Sequence, residues 1–122
     1  MLYYRSMQNI FGETIKDLRK DKFPGLSLRK VGDSLTENHG FPRFFYTQLN
    51  KIELGFVLPS SELLAKILDA YGASEQEKTE VVKAYARQST EERVRMVVED
   101  TNVPYQQVEQ AVFYRKRPKK DK

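Results

Sequence analysis

Over roughly the first ninety residues the apolar positions recur with a period near 3.6 rather than 2, which predicts an all-α fold. Phe11, Ile15 and Leu18 fall at i, i+4 and i+7, giving a first helix from Ile10 to Lys22 that Phe23-Pro24-Gly25 cannot continue. Ser27 caps a second helix with Leu28, Val31 and Leu35 on its buried face, and Gly32 beside that face predicts a close helix–helix crossing. Thr36–Pro42 (TENHGFP) reads as a turn-rich connection. A third helix follows with Phe45, Leu49 and Ile52 inside, Tyr46, Thr47, Asn50 and Lys51 as a polar stripe, and Gly55 at its end.

Pro59-Ser60-Ser61 introduces a fourth helix, with Leu63, Leu64, Ile67, Leu68 and Tyr71 inside and Gly72 closing it. Ser74 and Glu77 match a capping box that opens a fifth helix to about Arg87, and Ser89 with Glu92 repeats the box for a sixth carrying Val94, Val97 and Val98. Pro104 starts a last helical stretch with Tyr105, Val108 and Val112. Beyond Tyr114 the chain reads as a disordered basic tail.

Charge adds a polarity to this helical frame. The 122 residues carry a net charge of +4, yet RKRPKKDK at 115–122 alone holds +5, leaving −1 on residues 1–114. Residues 1–58 carry +3 and residues 59–114 carry −4. A basic front half with a basic tail suits a polyanionic partner. No run approaches the ~18–20 apolar residues of a membrane span, and MLYYRSMQNI lacks the parts of a signal peptide, so a cytoplasmic chain is expected with no membrane contact. Cysteine is absent and His39 is the single histidine, which removes thiol nucleophiles, disulfides and Cys/His zinc sites. No nucleophile–base pair, glycine-rich phosphate loop or metal set is visible, so neither an enzyme nor a cofactor is expected.

The stretch FGETIKDLRK, GLSLRKVGDSL, FFYTQLNKIELG and PSSELLAKILDAYGAS, spanning about Ile10 to Arg87, resembles the Xre/Cro-type helix-turn-helix family of DNA-binding regulators. The resemblance implies a five-helix DNA-binding unit over 1–88, with 89–114 as a helical extension and 115–122 as the tail. It further implies that helix 3 enters the major groove, placing Tyr46, Thr47 and Lys51 at the base edges with Asn50 beside them. The start of helix 2, with the amides after Ser27 and with Arg29 nearby, would then bind phosphate. Leu28 stands where many members carry a glutamine that touches DNA. Thr36–Arg43 adds about seven residues to the usual short turn. That addition either lengthens helix 2 or loops outward, leaving His39 and Arg43 available to phosphates, or it displaces helix 3.

Plainer uses of the same residues set the alternatives. Phe41, Phe44 and Phe45 at helical spacing suit core packing, most strongly Phe45, and an exposed Phe41 or Phe44 suits a wedge at a base step. His39 reads as a turn residue, while Glu91-Glu92 and Glu99-Asp100 read as solubilising charge. The tail, with Arg115, Lys116 and Arg117, serves either solubility or a sequence-independent grip on phosphates. The valines of 89–114 either form a symmetric dimer interface or fold back on their own chain. The combined expectation is a sequence-specific, homodimeric regulator of transcription, with repression as the default. The alternative is a protein-interaction module such as the antitoxin of a toxin–antitoxin pair, with the acidic 59–114 half as its surface.

Overall fold

Capping chemistry divides the chain into helices. The computed structural model describes residues 9–116, and side chains through residue 112, as seven α-helices with no strand among them. These are α1 (Ile10–Lys22), α2 (Leu28–His39), α3 (Phe45–Leu54), α4 (Ser61–Tyr71), α5 (Glu75–Ala86), α6 (Glu91–Thr101) and α7 (Tyr105–Lys116). Side-chain oxygens of Ser27, Ser60 and Ser74 accept the amides of Lys30, Leu63 and Glu77. Each such bond satisfies an orphan donor of a first turn and contributes about 1 kcal/mol. The Ser74–Glu77 capping box is complete in both directions.

Three boundaries differ from the sequence expectation. Thr36–His39 is helical rather than a turn, because the breakers of that segment lie at its end: Gly40 takes φ 74° and closes α2, with Pro42 beyond it. The extra residues thus lengthen α2 by about one turn. At the second expected box, Thr90 rather than Ser89 caps α6, accepting from the Arg93 amide at 3.3 Å. Gln88 is held by the Phe11 amide, which donates to its side-chain oxygen at 2.7 Å, and this leaves Ser89 buried in the preceding turn. Finally, Arg115 and Lys116, expected in the tail, are the last two residues of α7. The rest of the expected tail, from Arg117, lies outside the described residues.

Close approaches fix how the helices cross. A Cβ on Gly32 would lie 2.6 Å from the Cβ of Tyr46 and 2.8 Å from its Cα, so α2 and α3 meet backbone to backbone as expected there. Gly12 does the same between α1 and the end of α3, where a Cβ would lie 2.5 Å from the Glu53 carbonyl oxygen. The buried side chains form one cluster running from Phe11 and Ile15 through Phe45, Leu49 and Leu64 to Val97 and Val108. At its centre the Phe11 and Tyr85 rings meet edge to face at 5.4 Å, and the Tyr85 hydroxyl donates to the Pro59 carbonyl. Val31 and Leu35 are buried on α2, whereas Leu28 and, on α4, Leu63 are only partly so.

The extension folds back on its own chain. α6 packs on α4 and α7 on α5. Val94, Val97, Val103, Val108 and Val112 are all buried in the common cluster, so they are not available as the dimer surface that the sequence suggested for 89–114. No helix among the described residues is long and apolar enough to cross a membrane.

Two outcomes follow from this packing. Gly32→Val drives a side chain into the α3 backbone and should lower stability in urea by about 1–3 kcal/mol, although valine is the better helix former. A variant as stable as the parent would contradict the close crossing. Val97→Ala and Val108→Ala should each cost roughly 1–3 kcal/mol while unfolding stays a single transition, since both sit in the one core. Separate melting of the extension, followed by circular dichroism at two wavelengths, is the contrary result.

Candidate nucleic-acid interface

The candidate interface is built on α3, a short helix whose back is locked in place. Phe45, Leu49 and Ile52 are buried, and the same face continues into Glu53, itself only 5% exposed. Its carboxylate accepts two hydrogen bonds from Arg19 of α1, Nε to Oε2 at 2.6 Å and Nη2 to Oε1 at 2.9 Å. The bond to Glu53 raises the Arg19 pKa against the opposing effect of burial. Asn9 adds a third tie, its Nδ2 donating to the Glu53 carbonyl at 2.9 Å, where Gly55 ends α3 at φ 88°. The Tyr71 hydroxyl lies buried with no hydrogen-bond partner among the described residues. Burial, and then the charge of Glu53, pushes its pKa up.

The front of α3 is open. Thr47, Gln48, Asn50 and Lys51 are exposed, and the side chains of Gln48, Asn50 and Lys51 have no hydrogen bond or ion pair among the described residues. Thr47 differs, because its hydroxyl donates to the Phe44 carbonyl at 3.0 Å and leaves chiefly its methyl to the outside. Tyr46 is not a free member of this stripe. It is partly buried, its backbone pressed on Gly32, and its ring carries the Arg29 guanidinium at 5.4 Å. Beside it Arg43 lies 5.5 Å from the centre of the Phe44 ring. Two guanidinium groups are thus held by aromatic rings at the α3 N-terminus, an arrangement worth about 0.5–1 kcal/mol each at exposed sites.

Of the expected site residues, Arg29 of α2 meets Tyr46 of α3, Arg43 lies in the turn before α3, Thr47, Asn50 and Lys51 follow on α3 itself, and Ser27 stands at the far end of α2. Ser27 caps the α2 N-terminus, and Arg29 there has one loose pairing with Asp33 at 4.0 Å. Beyond α3, Thr47, Lys51, Ser60 and Leu63 line an open groove of about 550 Å³ against the α3–α4 loop. Arg115 and Lys116 stand apart from this cluster in sequence and lie in the last turn of α7, which packs on α5 and α6. Arg117 lies outside the described residues. Phe41 and Phe45 are core residues in mutual contact at 4.7 Å, but Phe44 is exposed. His39 is exposed in the last turn of α2, and no group of three or more His, Asp or Glu side chains with metal-binding proximity occurs among the described residues.

Sequence reasoning missed the Arg19–Glu53 pair, although a signal for it exists. Glu53 continues the buried register of Leu49 and Ile52, and Arg19 that of Ile15 and Leu18, so each charge falls on a core face and calls for the other. Removing one partner strands a buried charge: Arg19→Met should cost about 3–5 kcal/mol in urea denaturation, and adding Glu53→Met should restore much of it. Additive losses in the double variant would contradict the coupling.

No family model, curated protein or solved structure matches this chain.

Proposed function

We propose that this chain binds double-stranded DNA in a sequence-specific manner as a regulator of transcription, with α3 in the major groove. The observation that carries the reading is the state of Asn50 and Lys51. Both are exposed and have no hydrogen bond or ion pair among the described residues, on a helix whose opposite face is fixed by Gly32, Gly12 and the Arg19–Glu53 pair. A helix is about 10–12 Å across with its side chains, and the major groove about 12 Å wide. In that setting Asn50 pairs in bidentate fashion with adenine, Lys51 donates to guanine O6 and N7, and Thr47 offers its methyl. Arg29, Arg43 and the first-turn amides of α2 beyond Ser27 fall to the flanking phosphates, which position the helix without reading sequence.

The resemblance of Ile10–Arg87 to Xre/Cro-type regulators supports the same assignment. The lengthened α2 leaves the α2–α3 crossing in place, which supports the docking arrangement that the added residues put in question. A single module reads few base pairs, so the working form is a homodimer on two half-sites about 34 Å apart. Its contact surface lies outside the buried valines of α6 and α7. Repression by occupancy of a promoter is the simplest consequence.

The second reading, a protein-binding module such as an antitoxin, draws on a different feature. Leu54, Phe56 and Val57 are exposed in succession where α3 ends, with Phe56 at 67%. Contiguous apolar surface of that kind marks contact with a protein.

The test separates base reading from folding. Asn50→Ala and Lys51→Ala should each remove ~1–3 kcal/mol of discrimination between the preferred duplex and a scrambled one, with the helical spectrum unchanged. Unaltered discrimination would remove α3 from the interface. Truncation before Arg117 should weaken binding to all duplexes alike and flatten its dependence on salt, because phosphate contacts act through counterion release. A loss confined to the preferred duplex would contradict that role for the tail.

A further inference from the structure

Phe44 begins α3 at φ 60° and ψ 31°. This left-handed region disfavours any residue with a Cβ, and a bulky one most. Among the described residues only Asn102 shares a positive φ without being glycine, and asparagine tolerates it. Glycine would make the same turn at less cost and is accepted at a helix N-cap. The side chain does not compensate through the core, since the ring is 57% exposed where Phe41 and Phe45 are 8% and 2%. The turn itself uses only the Phe44 backbone, whose carbonyl accepts from both the amide and the hydroxyl of Thr47. The ring is nevertheless held in place, with the Arg43 guanidinium 5.5 Å from its centre and the Tyr46 ring edge-on at 6.3 Å. Phe44 stands immediately before α3 as its N-cap, next to the exposed Thr47 of the first turn.

A strained backbone, an exposed phenyl ring and a fixed ring orientation are unfavourable to the isolated protein and useful to a contact. We propose that Phe44 is a specificity-determining residue whose ring packs on the 5-methyl group of a thymine in the major groove, with Arg43 beside it aimed at the neighbouring phosphate. The thymine methyl is the apolar group that base edges display there, which identifies the ligand by its chemistry. This assignment rests on the reading of α3 as the base-reading helix.

The experiment uses the full chain and the duplexes it selects from random DNA, each also made with single thymines replaced by deoxyuridine, which removes the methyl and keeps the pairing. For the parent, replacing one thymine per half-site should weaken binding about fourfold, the value of one buried methyl. Phe44→Gly should bind the thymine duplex about tenfold more weakly, be indifferent to deoxyuridine at that position, and melt at or above the parent midpoint. Parent-like affinity in Phe44→Gly, parent-like sensitivity to deoxyuridine, or a lowered melting midpoint would each overturn the proposal. Loss of binding in Asn50→Ala with none in Phe44→Gly would overturn the role of Phe44 alone. No selected duplex, or no effect of either substitution, would overturn the reading of α3 and this assignment with it.

Discussion

The Arg19–Glu53 pair joins α1 to the last turn of α3 through two charge-assisted hydrogen bonds inside the protein. Removing water from two charges costs several kcal/mol per ion, so the pair is weak as a source of net stability and strong as a constraint. Neither partner can move away without stranding the other, and the two-bond geometry fixes orientation as well as distance. Gly12 allows the backbones to come close enough for it, and Asn9 ties the same turn to the start of α1. With Gly32 seated on Tyr46 at the other end, α3 is held at both ends against two different helices. The backbone that carries its outer face is therefore held in one orientation.

The rest of the chain supports this frame rather than competing with it. α5 packs on α1, and α6 and α7 cover α4 and α5, so the acidic C-terminal half buries its valines within the molecule. The open polar face stays on α3, and the cations near it come from the basic front half, Arg29 and Arg43 on aromatic rings and Lys51 on the helix itself.

How much of this was legible in the sequence depends on the range of the interaction involved. The limits of α1, the caps at Ser27 and Ser74, and the crossing at Gly32 rest on neighbours within a turn or on the size of one residue, and they read directly. The choice between Ser89 and Thr90 does not, because adjacent hydroxyls are equally competent and a bond from Phe11, 77 positions away, decides. The valines of 89–114 announced a buried face without saying what buries it, since periodicity carries no partner. In the site, the exposure of Asn50 and Lys51 followed from the period of Phe45, Leu49 and Ile52. The exposure of Phe44 did not, because it depends on a left-handed turn that residue preference argues against. Arg19 and Glu53 were visible as members of motifs but not as a pair, a contact 34 positions long.

The central claim is that the outer face of α3 reads DNA bases. Selection of random double-stranded DNA by the purified chain at ~150 mM salt, where non-specific affinity is weak, tests it most directly. The account predicts enrichment of a pseudo-palindrome whose half-sites lie ~10 bp apart, the spacing of two copies on one face of the duplex. A folded protein that enriches no sequence would contradict it.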